Sequence, residues 1–552
     1  MIQSKNSSSL LWSLLWAALV LSAVFLRPLL PMDETRYFSV AWEMWIRQDW
    51  LVPHLNGEAY SHKPPLLFWS MLIGWKVFGV VDWWPRLMAP TFGLGCLFLT
   101  SRLGRRLWPE SNAQIVAPLL LLGSLYWATY TTLTMFDLLV CLWTLVGIHG
   151  LLDAREGKIF RGWVIFAFAI GMGVLSKGPV ILVFMAPAAL LAPLWTNTEK
   201  TWLKWYIGFC LSLIGGVLMA LAWAIPAGMT GGDEYRNAIF WGQSAGRIVD
   251  SFAHSRPFWW FAAILPVLIL PWLIWPTLLS QIWFGFKNRR NFIAALKADF
   301  GLLLLTIWAG TAFVILSSFS GKQPHYLLPI FPALALGCAF AIGHLSEFRC
   351  VAARWDIIPA ATLACMLGIA MLVLPELGEQ LGLTYWDGGD LRIWGLPIIL
   401  IAAYCVWRPP TSIVSRIGTT CVLGTVIVIG VHVGAKPALE QAYNLKPLAG
   451  RIADYQKTGY LVANYGKYHG QFNYLGKLTT PVAESGDGEI RRQLAANPRL
   501  KIIAYYEKLE GSSKPDFTQD FRSKIIAVWD RATLLPYPEI ASRNTNGKHD
   551  GE

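Results

Sequence analysis

Runs of about 20 apolar residues recur along this chain, and nothing else constrains its fold as strongly, because about 20 such residues in a helix cover the ~30 Å of a bilayer's hydrocarbon. The runs lie at 10–30, 84–100, 113–128, 133–151, 162–176, 179–195, 205–228, 258–284, 300–317, 325–344, 357–375, 391–407 and 413–434, thirteen in all. With 55% hydrophobic and 14% charged residues over 552 positions, the chain has too much apolar surface for one water-soluble core. It reads as a polytopic α-helical membrane protein. Residues 10–30 read as the first span and not as a cleaved signal peptide, since no small-residue cleavage pattern precedes Arg27 and Pro28.

Loop charge orients the spans, because Lys and Arg concentrate in cytoplasmic loops. Basic clusters occur at Arg102, Arg105 and Arg106, at Arg155, Lys158 and Arg161, and at Lys200 and Lys204. They recur at Lys287, Arg289, Arg290 and Lys297, at Arg349 and Arg354, and at Arg408 and Arg416. Every second loop is thus basic, which puts the N-terminus inside and the loops 31–82 and 229–257 outside, with the C-terminal region. Counting the apolar run 66–79 as a span would invert every later loop. It is short, opened by Pro64 and Pro65 and interrupted by Lys76, so it is expected to lie in the interface.

The polar chemistry is concentrated beside the first span. Residues 31–69 read PMDETRYFSVAWEMWIRQDWLVPHLNGEAYSHKPPLLFW. Asp33 opens an expected interfacial helix with Tyr37, Ala41, Met44 and Trp45 on one face and Arg36, Glu43 and Arg47 toward the other. An N-cap role would account for Asp33. It would not account for Glu34 beside it, and ionisable groups at a membrane's edge are functional by default. Asp137 is a second such acid, at the outer end of its span. Burying it costs ~2.5 kcal/mol or more unless it is paired or hydrated.

Cations face the same side: Lys63, Lys177, Arg236, Arg247, Arg256 and Lys322, the last with His325 and Tyr326 within a turn. An anion is their common partner. Each alone could be a snorkelling side chain. His54 and His62 could collect a divalent ion, a weaker reading than hydrogen bonding because they lack regular ligand spacing. No CxxC, HExxH, Walker or dinucleotide-binding pattern is present, and all eight cysteines fall within spans or a cytoplasmic loop. The net charge of +12 follows topology and forms no nucleic-acid-binding tract, so the partners are lipids and the bilayer.

From residue 436 the spanning runs stop, and β-branched stretches such as GYLVANY, KIIAYY and SKIIAVW alternate with helical patterns. The chain therefore divides into a membrane domain, 1–435, and a small external α/β domain, 436–552.

The pattern DETRY, then DWLVPHLNGEAYSHKPPLLFW, with LTMFD, LSKGP and SFSGKQPHYLLP downstream, resembles the lipid A aminoarabinose transferases of the protein-mannosyltransferase-like, GT-C group. The sequence departs from that pattern at His62, where relatives often carry Glu. The resemblance implies an inner-membrane glycosyltransferase that moves 4-amino-4-deoxy-L-arabinose from undecaprenyl phosphate to lipid A phosphates at the periplasmic face, giving polymyxin resistance. Asp33, Glu34 and Asp137 are the candidate catalytic acids. Arg36, Tyr60, Lys63, Arg247, Lys322, His325 and Tyr326 are candidates for the donor phosphate and lipid. Breaking a sugar–phosphate bond develops positive charge on the sugar and negative charge on the leaving phosphate, and fixed charges of both signs answer that need. With no residue clearly placed as a covalent nucleophile, one inverting displacement is expected. The competing readings are a related transferase with another sugar or a protein acceptor, and a polyprenyl-lipid transporter or flippase. The latter more often shows repeated halves around a midplane site.

Overall fold

The structure, a computed structural model, describes residues 2–196, 202–246, 255–287, 294, 297–344, 353–380, 389–486, 490–509, 514–522 and 524–534. A long apolar helix α1 (Ile2–Leu26) leads into the interfacial helices α2 (Asp33–Arg47) and α3 (Leu66–Phe78), joined by a two-stranded hairpin of β1 (His54–Leu55) and β2 (Glu58–Ala59). At 13 residues, α3 is about 20 Å long and too short to span. Next come α4 (Trp83–Leu107), α5 (Ala113–Gly123), α6 (Leu125–Thr131), α7 (Asp137–Arg155), α8 (Ile159–Lys177), α9 (Ile181–Leu190), α10 (Ala192–Trp195) and α11 (Trp202–Thr230).

Among the described residues eight helices are long and apolar enough to span, or nine if α5 and α6, bent by 76°, form one span. The thirteen expected segments are nonetheless all helical there, and physical reasons separate the two counts. Helix α4 carries Arg86, Arg102, Arg105 and Arg106, and the apolar part of Gly389–Trp407 is short. The segment expected at 258–284 is broken into Trp260–Leu268 and Pro276–Lys287. The stretch Ile159–Leu190, counted once by length, reverses at Gly178, whose φ of +78° a side chain rarely adopts. A Cβ on Gly147 of α7 would touch both Met185 and Ala169, so α8 and α9 fold back beside one another.

One core runs through the spans and includes Trp12, Leu97, Leu121, Trp127, Leu145, Phe166, Trp308 and Leu336. A second sits under the outer face, where Tyr37, Phe38 and Met44 of α2 meet Phe68, Met71 and Trp75 of α3, together with Phe136 and Tyr474. Beyond the last span, Ile413–Gly434, the helix Lys446–Lys457 packs on a five-stranded sheet of order β4-β3-β5-β7-β6. Its strands are β3 (Leu461–Tyr465), β4 (Ala483–Ser485), β5 (Leu500–Tyr506), β6 (Phe517–Phe521) and β7 (Lys524–Trp529). Strand β3 is parallel to β4 and β5, and β7 is antiparallel to β5 and β6. Alternation works as period 2 requires: Val462, Ile503, Ile526 and Val528 face one core, and Ala463, Ile502, Ala527 and Trp529 the other.

This sheet unit is clamped to α2. Ser39 Oγ donates to the Gly470 carbonyl at 2.6 Å and accepts from the Tyr474 amide at 3.0 Å, and Trp42 Nε1 donates to the Leu478 carbonyl at 2.8 Å. Glu43 accepts from the Asn56 and Gly57 amides and from Asn473 Nδ2. The amphipathic reading of α2 placed Glu43 on its solvated face, yet Glu43 is buried, because that face meets the external domain and not water.

Candidate active site

Asp33 is the first residue of α2. No side chain caps that helix, so the N-cap explanation of Asp33 fails. Its carboxylate instead accepts from Arg36 at 2.6 Å and from the Tyr37 hydroxyl at 3.2 Å, and it remains 49% exposed. Burial, and next the Asp33 charge, push the Tyr37 phenol well up, so at neutral pH it is a donor. The Tyr37 ring meets Phe136 edge-on with centroids 4.9 Å apart, and the Lys63 ammonium lies 5.7 Å from the same Phe136 ring.

Asp137 follows Phe136 directly, as the first residue of α7. Thr132 and Thr134 do not cap that helix. Lys177 Nζ donates to the Asp137 carboxylate at 2.7 Å and lies 4.5 Å from the Tyr326 ring centroid. His325 Nε2 is 3.9 Å from the other oxygen of Asp137, and the His325 ring packs on Tyr130 and Tyr326. His325 senses the charges of Asp137, Lys177, Lys63 and Asp33, and Arg36 interacts with Tyr60 and Asp33, which gathers these groups into one charged cluster. Two acids and several bases therefore stand over an aromatic floor of Tyr37, Tyr60, Phe68 and Phe136.

Two expected site residues are placed differently. Glu34 does not join this cluster: its carboxylate takes the two terminal Arg27 guanidinium nitrogens and the amides of Leu30 and Thr134, and each side chain of the pair is only 3% exposed. Burial alone would raise its pKa, but the charge and hydrogen bonds of Arg27, with Arg86 farther off, outweigh that and hold it at about 2. Lys322 is buried and its ammonium donates to the Phe319 and Arg256 carbonyls, so it staples the end of the 229–257 loop beside the Ser255–Gly321 bridge. Arg247 lies outside the described residues. His54 Nδ1 is 2.8 Å from the Val52 carbonyl, His62 packs its ring at 5.2 Å from Tyr60, and no three such side chains converge among the described residues. The weak metal reading therefore has no ligand set here.

Sequence reasoning singled out Lys177 only as one external cation among several. Its signal was its place at the last position of a span, in LSKGP, opposite an otherwise unpaired acid.

The arrangement is that of a polytopic helical membrane fold with a charged cluster at one end of its helices and a C-terminal α/β unit. Residues 62–225 match the family model of dolichyl-phosphate-mannose-protein mannosyltransferases. The chain is 29% identical over 337 residues to undecaprenyl phosphate-alpha-4-amino-4-deoxy-L-arabinose arabinosyl transferase 2 of Pseudomonas fluorescens, covering 58% of each chain. It is also 29% identical to the corresponding transferase of Pseudomonas aeruginosa LESB58, covering 68% of this chain and 67% of that one. The match spans 58% of the length of the Pseudomonas fluorescens relative and 54% of that of the arabinosyl transferase of Edwardsiella ictaluri, somewhat more than half of each. The crystal structure of apo ArnT from Cupriavidus metallidurans superposes with a TM-score of 0.72 at 18% identity, over 95% of this chain and 98% of that one. The undecaprenyl-phosphate-bound form of that protein gives 0.67 at 19% identity, over 94% and 97%. By sequence similarity and by fold, the chain is ArnT-like.

Proposed function

We propose that this protein transfers 4-amino-4-deoxy-L-arabinose from undecaprenyl phosphate to a phosphate of lipid A, at the periplasmic face of the bacterial inner membrane. The observation that carries this reading is the gathering of Asp33 and Asp137 with Arg36, Lys63, Lys177 and His325 into one charged cluster. The likeness to the arabinosyl transferases and to the undecaprenyl-phosphate-bound ArnT fold supports it. The N-terminus is then cytoplasmic, and the cluster and the α/β domain are periplasmic.

An acceptor phosphate oxygen attacks the anomeric carbon, a new carbon–oxygen bond forms, and the bond to the donor phosphate breaks with its electron pair on the leaving undecaprenyl phosphate. The carbon inverts. Lys63 and Arg36, with Tyr60 and Tyr326, meet the leaving phosphate and stabilise charge that grows in the transition state. A phosphate acceptor is already ionised and needs no general base, so the acids serve the sugar: Asp33 and Asp137 hold its amino group and the positive charge that develops at the ring.

The test is the lipid A mass spectrum of cells lacking a resident aminoarabinose transferase and supplied with this chain, beside Asp33→Ala and Lys63→Ala. The expected result is an aminoarabinose adduct, lost in both variants. Unmodified lipid A from well-expressed protein would overturn the sugar or acceptor assignment and turn attention to another sugar, a protein acceptor or lipid transport.

A further inference from the structure

Away from the acids, an open groove of about 490 Å³ lies where α2 meets the external domain, lined by Trp42, Trp45, Ile46, Gln48, Val80 and Lys477. Its walls are aromatic and aliphatic, and its cation comes from the external domain. Ile46 is 36% exposed, and Val77 and Phe78, just before Val80 in the chain, also present apolar surface outward. Half-exposed tryptophans, exposed aliphatics and an interfacial helix pair together belong at the headgroup level of a bilayer.

Lys477 has φ of +50° and holds its ammonium 3.2 Å from the Tyr474 ring centroid and 5.3 Å from that of Trp42. Asp82 and Lys446 are the charged groups that act on it. Asp82 is 3.0 Å from Lys446 and 3.9 Å from Lys477, and it also accepts from the Tyr474 hydroxyl. One carboxylate therefore faces two ammonium groups, Lys446 the nearer. Lys477 thus keeps only a share of Asp82 at the mouth of an apolar groove, while Arg86 and Glu440 also act around that carboxylate.

We propose that this groove holds an anionic phospholipid of the surrounding leaflet, its phosphate on Lys477 and its acyl chain along Ile46, Val80 and the exposed face of α3. The site is separate from the acidic cluster and does not depend on the sugar or acceptor assigned there. Burial is the largest effect on the Lys477 ammonium; it exceeds the opposing attraction of Asp82 and, with the smaller repulsion from Lys446, brings it down to about 8, so the site holds a proton at neutral pH and loses it just above.

The test uses the full chain with Ile46→p-benzoylphenylalanine, in nanodiscs of equal phosphatidylglycerol and phosphatidylcholine, free of undecaprenyl phosphate. After irradiation, the lipid cross-linked at position 46 is identified by mass. The expected adduct favours phosphatidylglycerol about fivefold, the share of one lysine near anionic lipid. Lys477→Gln should bring the ratio to about one, Lys477→Arg should keep it, and raising the pH from 7 to 9 should erode it in the unsubstituted protein. Equal labelling by both lipids overturns the proposal, as does a preference that survives Lys477→Gln. So does the absence of any lipid adduct from protein that elutes as a folded species.

Discussion

Replacing Glu34 by Gln separates a positioning acid from a reacting one. In the folded protein Glu34 closes a fork on Arg27 and accepts the Leu30 and Thr134 amides, while Arg27 Nη2 also donates to the Thr132 carbonyl at 2.6 Å. Both side chains are almost fully buried, and leaving one charge of such a pair without its partner costs about 3–5 kcal/mol. Glutamine keeps the shape and some hydrogen bonds, so Glu34→Gln belongs at the lower end of that range and Glu34→Ala at the upper. The assay is the half-life of detergent-solubilised protein at elevated temperature, since large membrane proteins unfold irreversibly and the measurable quantity is a rate. Glu34→Gln should shorten it strongly while residual sugar transfer persists in the cold. Asp33→Asn should do the reverse, leaving the half-life near that of the parent and abolishing transfer. The double replacement Arg27→Met with Glu34→Leu should recover much of the stability, because an apolar pair of similar volume often matches a buried ion pair. Normal heat stability with complete loss of transfer in Glu34→Gln would refute the reasoning and return Glu34 to the chemistry.

Acid should reveal the same group. Its pKa falls from an ordinary 4.5 to about 2 on folding, so its contribution is complete above about 4.5 and disappears as pH falls toward 2; Glu34→Gln should flatten the stability profile in that window. Lys177→Met should strand the buried Asp137 carboxylate and lower both transfer and heat stability, whereas Lys63→Met should lower transfer at least a hundredfold with little change in half-life. Glu43→Ala removes the acceptor of Asn56, Gly57 and Asn473 and should increase protease cleavage between the membrane and external domains, read by gel after limited digestion. Asp33→Asn and Asp137→Asn, assayed with a donor whose sugar lacks the amino group, should show a smaller penalty than with the amino sugar if the acids hold the amine, and an equal penalty if they do not.

Much of the fold was legible because a bilayer leaves few alternatives: long apolar runs had to be helices, and loop charge distinguished the short α3 from a span. The counts differ where sequence hydropathy alone is blind. The sequence already separates 162–176 from 179–195 at Lys177, Gly178 and Pro179, and it is length alone that merges Ile159–Leu190, whereas only prolines such as Pro266 and Pro271 hint that 258–284 breaks. Residue type and expected membrane side singled out Asp33, Asp137, Lys63 and His325 as candidates, and the structure brings them near one another. Type and side could not tell Asp33 from Glu34, neighbours that point to different partners one residue apart on a helix. Nor could they show that Lys322 would spend its donors on the Phe319 and Arg256 carbonyls, which are brought to it by loop packing and not by any local pattern.

These contacts make α2 a bar fixed at its N-terminus and again at its middle, and that bears on how the two acids stay in register. At its N-terminus, Glu34 ties α2 through Arg27 to the end of α1, and through the Thr134 amide to the loop that runs into Asp137. Arg86 of α4 adds a donor to the Arg27 carbonyl at 2.6 Å. Farther along, Ser39, Trp42 and Glu43 fasten the bar to residues 470–478 of the external domain. One such anchor would let the helix pivot and carry Asp33 away from Asp137, whereas two resist rotation about either. The external domain therefore holds the helix that carries Asp33, and Arg522 adds a donor to the Pro31 carbonyl just before it. Cutting its anchors by Ser39→Ala with Glu43→Ala should lower kcat more than it raises KM for the donor, and a rise in KM alone would show that the domain instead contacts substrate.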